Sequence, residues 1–209
     1  MEGNGATQDG LRESNPILTS ISNWILAKSD EIEYARSTNG GWEGWSQVEL
    51  AWVLTRDHTY KYDQGSNILI SRESHLFEED SLKADLEISG PGGVVFELKC
   101  ERGPRMVNDT QNPGQQKEDK TTKKSSAGQL VTGLQEDQEK VAGLKVSAGI
   151  TAVFVIGISV TPEAHERMLK EAKGFTMHSY AITENESPIC LWWWQKPMPV
   201  KKSELEEED

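Results

Sequence analysis

Cysteine is nearly absent. Cys100 and Cys190 are the only two in 209 residues, too few for a disulfide framework or a cysteine zinc site and suited to a reducing compartment. An intracellular location, cytoplasmic or nuclear, is the expectation. Long apolar runs are missing too. No stretch of about 18 apolar residues occurs, so no membrane span is expected, and the polar residues 1–14 lack the apolar segment of a secretory signal. Positive charge is scarce: 22 Lys and Arg stand against 34 Asp and Glu, for a net charge of -12. Part of that acidity sits in Glu204, Glu206, Glu207, Glu208 and Asp209. Such a balance argues against bulk electrostatic capture of nucleic acid, although local patches can outweigh the sum. Internal repeats are lacking as well.

What is present suffices for one core. The hydrophobic share is 35%, and the chain divides into a disordered N-terminus (1–14), a single domain (15–198) and an acidic disordered tail (199–209). Asn15-Pro16 is an N-cap followed by Pro in the first turn, and Ile17, Leu18, Ile21, Trp24 and Ile25 continue at helical spacing, predicting a helix over 16–28. A short helical stretch over 31–35 follows. A further helix is predicted over 42–56, with Trp45, Val48 and Trp52 as its apolar stripe and Glu49 inside that stripe. A carboxylate in such a stripe needs a partner or a metal. Residues 58–63 and 67–71 are expected as strand pieces, and 72–81 as a polar connection.

The stretch Lys83–Cys100 carries the strongest pattern. Ala84, Leu86 and Ile88 alternate with Lys83, Asp85 and Glu87; Ser89-Gly90-Pro91-Gly92-Gly93 is turn chemistry; Val94, Phe96, Leu98 and Cys100 alternate with Val95, Glu97 and Lys99. Paired as a hairpin, one register sets Asp85, Glu97 and Lys99 on one face. Two carboxylates and an amine gathered there can hold a divalent cation and stabilise a developing anion. The plain alternative is a set of cross-strand ion pairs.

Periodicity stops over 101–126, a predicted mobile loop and the one clearly basic stretch, with Arg102, Arg105, Lys117, Lys120, Lys123 and Lys124. It is either a solvated insertion or an arm that contacts phosphates. A helix over 127–143 and a nearly continuous β-branched strand over 149–160 then complete a β-loop-α-β unit with parallel strands. Thr161-Pro162-Glu163 opens a helix to about Lys173, and 175–183 and 189–195 read as a final strand pair. In the latter, Trp192 and Trp194 share one face and Trp193 takes the other. Packing against the sheet is the expected use of these rings; base stacking or protein docking is the alternative.

Helix with Glu49, strands, the Asp85 strand, the Glu97-Leu98-Lys99 strand, helix, strand: this order resembles the PD-(D/E)XK, or restriction-endonuclease-like, nuclease superfamily. The resemblance covers roughly residues 42–160, with Ala84 where that family often has Pro. It implies an α/β fold with an αβββαβ core, a mixed central sheet flanked by helices, and here an extra C-terminal helix and strand pair. It implies Mg²⁺ or Mn²⁺ held by Asp85, Glu97, the Leu98 carbonyl and Glu49, directly or through water, with Lys99 orienting or deprotonating the attacking water or neutralising charge. Gln135 or Lys140 on the next helix would touch phosphate, with Gln129 and Gln138 as further candidates. The implied substrate is DNA more than RNA, and many members cut as dimers. Two other readings stand beside the nuclease: a non-catalytic interaction or regulatory protein on the same fold, and a nucleic-acid mimic acting through its negative surface.

Overall fold

The computed structural model describes residues 15–38, 42–59, 70–75, 83–89, 93–103, 125–143, 150–180 and 188–197. Among them are five helices, α1 (Pro16–Ala27), α2 (Ser29–Ser37), α3 (Glu43–Thr59), α4 (Ser126–Gly143) and α5 (Pro162–Glu171). The six strands are β1 (Ile70–Ser74), β2 (Ala84–Ile88), β3 (Gly93–Cys100), β4 (Ile150–Ser159), β5 (Thr176–Tyr180) and β6 (Ile189–Pro197). They form one mixed sheet in the order β1-β2-β3-β4-β6-β5. β1, β2 and β3 are an antiparallel meander, β3 and β4 run parallel, and β6 pairs antiparallel with both β4 and β5. No helix among the described residues is long and apolar enough to cross a membrane.

Alternation along the strands decides which helices cover which face. Leu86, Ile88, Val94, Phe96, Leu98, Phe154, Ile156 and Leu191 pack with Ile21, Ile25, Leu50 and Leu54 of α1 and α3. Val95, Val153, Val155 and Trp192 pack on the opposite face with Leu130, Leu134, Val141 and Met168 of α4 and α5. β3, β4 and β6 are thus covered on both sides, as their long apolar runs require. The caps are those the sequence calls for: Asn15 Oδ1 accepts from the Ile17 and Leu18 N–H groups, and Thr161 Oγ1 accepts from Ala164 N–H. The Trp192 indole donates to Ser159 Oγ at 2.7 Å, so this ring serves internal packing.

Three expectations are corrected. Residues 72–74 belong to β1, rather than to a polar connection, and pair with β2 at Arg72↔Leu86 and Ser74↔Ala84. Residues 58 and 59 end α3 instead of starting a strand. The buried face of α3 is Ser46, Gln47, Leu50, Val53 and Leu54, with Trp42 buried just before it, whereas Val48 and Trp52 are exposed. With apolar residues on all sides, this helix has no single stripe that periodicity can select. Residues 1–14, the strand pieces at 60–69, the loop residues 104–124 and the tail 199–209 lie outside the described residues.

Glu101, expected in the loop, is instead fully buried at the end of β3. Its carboxylate accepts from Val160 N–H (2.7 Å), Thr161 N–H (2.9 Å) and Thr161 Oγ1 (2.6 Å), and its carbonyl accepts from the Trp42 indole (2.7 Å). One residue therefore ties β3, the start of α5 and the residue that precedes α3. Replacing it would strand several buried donors, each costing about 1–3 kcal/mol. Glu101→Ala is expected to lower the unfolding free energy by about 3 kcal/mol or more, read from urea midpoints at an unchanged m-value.

Candidate functional site

The site forms where β2 leaves β3. The ladder between them holds Leu86↔Phe96, Glu87↔Val95 and Ile88↔Val94, and ends there. The next N–H groups of β3 on that side, Leu98 and Cys100, have no strand partner from β2. Carboxylates take them instead: Leu98 N–H donates to Asp85 Oδ2 at 2.7 Å, and Cys100 N–H donates to Glu43 Oε2 at 3.2 Å. Charge-assisted bonds of this kind are among the stronger available to a backbone amide.

The two remaining members of the hairpin triad point under α4. Glu97 is buried, 2% exposed, and Oε1 accepts from Lys140 Nζ at 2.7 Å. Lys140 also donates to the Lys83 carbonyl at 3.3 Å. Lys99 Nζ lies 3.1 Å from Asp137 Oδ2 and 3.8 Å from Glu43 Oε1. The hairpin therefore does bring Asp85, Glu97 and Lys99 into one charged cluster, completed by Glu43, Asp137 and Lys140.

Titration behaviour follows from this crowding. Burial pushes the Glu97 carboxyl up to about 7 against the opposing pull of Lys140, with Asp85 and Asp137 adding repulsion. Burial likewise raises Asp137 and Glu43, each opposed by Lys99. For Lys99 burial acts downward, but Asp137, Glu43 and Asp85 outweigh it and hold the ammonium well above its ordinary range.

Other expected site residues are placed elsewhere. Glu49 is six residues beyond Glu43, about 9 Å along α3 and roughly 120° around it, so Glu43 is the α3 acid that reaches Lys99 and β3. Gln135 Nε2 donates to the Glu171 carbonyl at 3.0 Å, joining α4 to α5. Gln138 lies beside Gly174, at the turn that follows α5, and Gln129 is exposed. Asp137 and Glu43 had no sequence signal of their own. Helical spacing from Lys140 does set Asp137 on the Lys140 face and Gln135 away from it.

Would these residues suit a divalent cation? The donors are hard carboxylate oxygens, and four acids stand against two ammonium groups, so charge and chemistry both suit Mg²⁺ or Mn²⁺. As the side chains lie here, however, no three carboxylate, imidazole or thiol groups among the described residues stand close enough to share one ion.

The raised Glu97 carboxyl has a signed consequence for stability. Between about pH 4.5 and pH 7 the folded state keeps a proton that the unfolded chain has released, so Glu97's contribution is present below pH 4.5 and is lost as pH rises through 7. From pH 5 to pH 8, wild type is expected to lose about 2 kcal/mol relative to Glu97→Gln in paired denaturant titrations.

Compared with protein-family models, with curated proteins and with solved structures, the chain gives no match to any of them.

Proposed function

We propose that the chain is a metal-dependent nuclease that hydrolyses phosphodiester bonds in DNA, or in RNA, on the PD-(D/E)XK plan. The observation that carries this reading is the shared placement of Asp85, Glu97 and Lys99 at the point where β2 leaves β3. The order of elements supports it. Helix α3, the meander β1-β2-β3, the connecting α4 and the parallel β4 follow one another as the αβββαβ core of that superfamily does.

Asp85, Glu97 and the Leu98 carbonyl would hold the cation. When bound, it would polarise the scissile phosphate and stabilise the leaving oxygen. The protein's own groups supply the rest. Leu98 N–H fixes the Asp85 carboxylate on β3. Lys99, flanked by Asp137 and Glu43, presents a positive charge to a phosphoryl group carrying developing negative charge. Glu43 takes the place that the sequence reading gave to Glu49. A duplex has two strands, so a homodimer is the assembly this reading asks for.

One observation favours a second reading, a non-catalytic interaction or regulatory protein on the same architecture. Lys140 sits on Glu97 at 2.7 Å, giving that carboxylate a partner without any metal. Incubation with plasmid, linear duplex, single-stranded DNA and RNA, each with Mg²⁺ or Mn²⁺, separates the two. Cleavage by wild type is expected to fall at least about a hundredfold in Asp85→Ala and in Lys99→Ala. Cleavage that survives both substitutions would sink the assigned site. Failure to cut any substrate, together with no Mn²⁺ binding by calorimetry, would favour the second reading.

A further inference from the structure

We propose that Asp137 and Gly133 of α4 are positioning residues for Lys99, the first pairing with its ammonium and the second making room for its stem. In its catalytic consequence this rests on the nuclease reading above; in its geometry it does not.

A lysine on a strand has a long, rotamer-rich stem, and within β3 its amine meets only the Leu98 carbonyl, at a long 3.4 Å. Direction comes from the helix lying across it. A Cβ added at Gly133 would sit 3.4, 3.6 and 3.7 Å from Lys99 Cδ, Cε and Cγ, so the stem runs against the bare backbone of α4 at that position. One turn further along the same helix face stands Asp137, with Oδ2 3.1 Å from Lys99 Nζ. Its side chain is 13% exposed and that of Lys99 28%, so the pair is shielded from much of the solvent that weakens surface ion pairs.

Lys140, three residues beyond Asp137, shares this face and holds Glu97. Strand and helix thus meet through two complementary pairs, Lys99 with Asp137 and Glu97 with Lys140. The register of α4 over β3 is what aims Lys99 at the cluster rather than at solvent. Glu43 lies 3.8 Å from the amine, so the ammonium has two acids within 4 Å, contributed by different helices.

Gly133 imposes a steric condition independent of charge. Alanine at that position would meet the Lys99 stem at ordinary van der Waals distances, whereas a leucine would need the volume the stem occupies.

The test is competitive acylation of the full-length protein with an acetylating reagent. Mass spectrometry compares the rate at Lys99 with that at Lys196, which is held by the Val141 and Ala142 carbonyls at the end of α4. Asp137→Asn and Gly133→Leu are expected to raise Lys99 labelling about tenfold relative to Lys196, equivalent to about 1.4 kcal/mol of lost restraint. Asp137→Glu and Gly133→Ala should remain near wild type, and they keep the comparison usable if the leucine variant does not fold. Equal Lys99 labelling in wild type and Asp137→Asn would overturn the proposal.

No metal or substrate enters this readout, so the two readings can fail separately. Faster labelling in Asp137→Asn from a protein that cuts nothing would uphold the positioning and remove the nuclease. Cleavage with unchanged labelling would do the reverse. Where wild type cuts, Asp137→Asn is expected to lower kcat with little change in KM, and Asp137→Glu to restore it.

Discussion

An amide without a strand partner is the constraint from which the cluster grows. β3 is paired along its length on its β4 side, but among the described residues β2 pairs with it over three positions. Leaving the Leu98 and Cys100 N–H groups without acceptors inside the protein would cost about 1–3 kcal/mol each. Asp85 and Glu43 supply those acceptors. Two acids are therefore drawn to the end of the sheet by backbone hydrogen bonding, whatever chemistry later takes place there. Their presence next to Glu97 then makes cationic neighbours necessary, and Lys99 and Lys140 answer that need.

This order of causes explains why a strongly acidic protein concentrates further acidity under a helix. Each carboxylate has a local reason: amides for Asp85 and Glu43, an ammonium for Glu97, and another for Asp137. Burial opposes ionisation at Glu97, Asp137 and Glu43, so the cluster holds its charge against a desolvation cost. A site that a small cation or a phosphate group could relieve is the kind of place where binding energy can do chemical work.

Much of this was legible beforehand, and the parts that were not have definite reasons. Alternation in 83–100 set the facing of Asp85, Glu97 and Lys99, because the period of a strand is short, and the register Leu86↔Phe96 is the one that gathers them. The β-branched run at 150–159 identified a strand buried on both sides. α3 was harder. Trp45, Val48 and Trp52 look like a core stripe, yet the sheet is packed by Leu50, Val53 and Leu54, and Trp52 remains exposed with Arg56 stacked 5.0 Å from its ring centroid. That swap displaced the expected acid from Glu43 to Glu49. Asp137 was hidden differently, as one polar residue among several on α4, whose importance depends on which face meets Lys99. Glu101 looked like loop because the residues after it carry no period, and its burial is created by Thr161 and Trp42 from distant parts of the chain.

Glu101 also bears on the long connection between β3 and α4. On one side the chain is fastened by Glu101 to the beginning of α5. On the other, Ser125 Oγ donates to Glu163 Oε1 at 2.8 Å and accepts from Arg167 Nη1 at 3.2 Å, both side chains of that same helix. Both roots of the connection are thus clamped to α5 by contacts that do not involve residues 104–124. The end of β3 and the start of α4 are therefore both moored to α5, so a helix that carries no member of the cluster helps to hold the two elements that supply most of it.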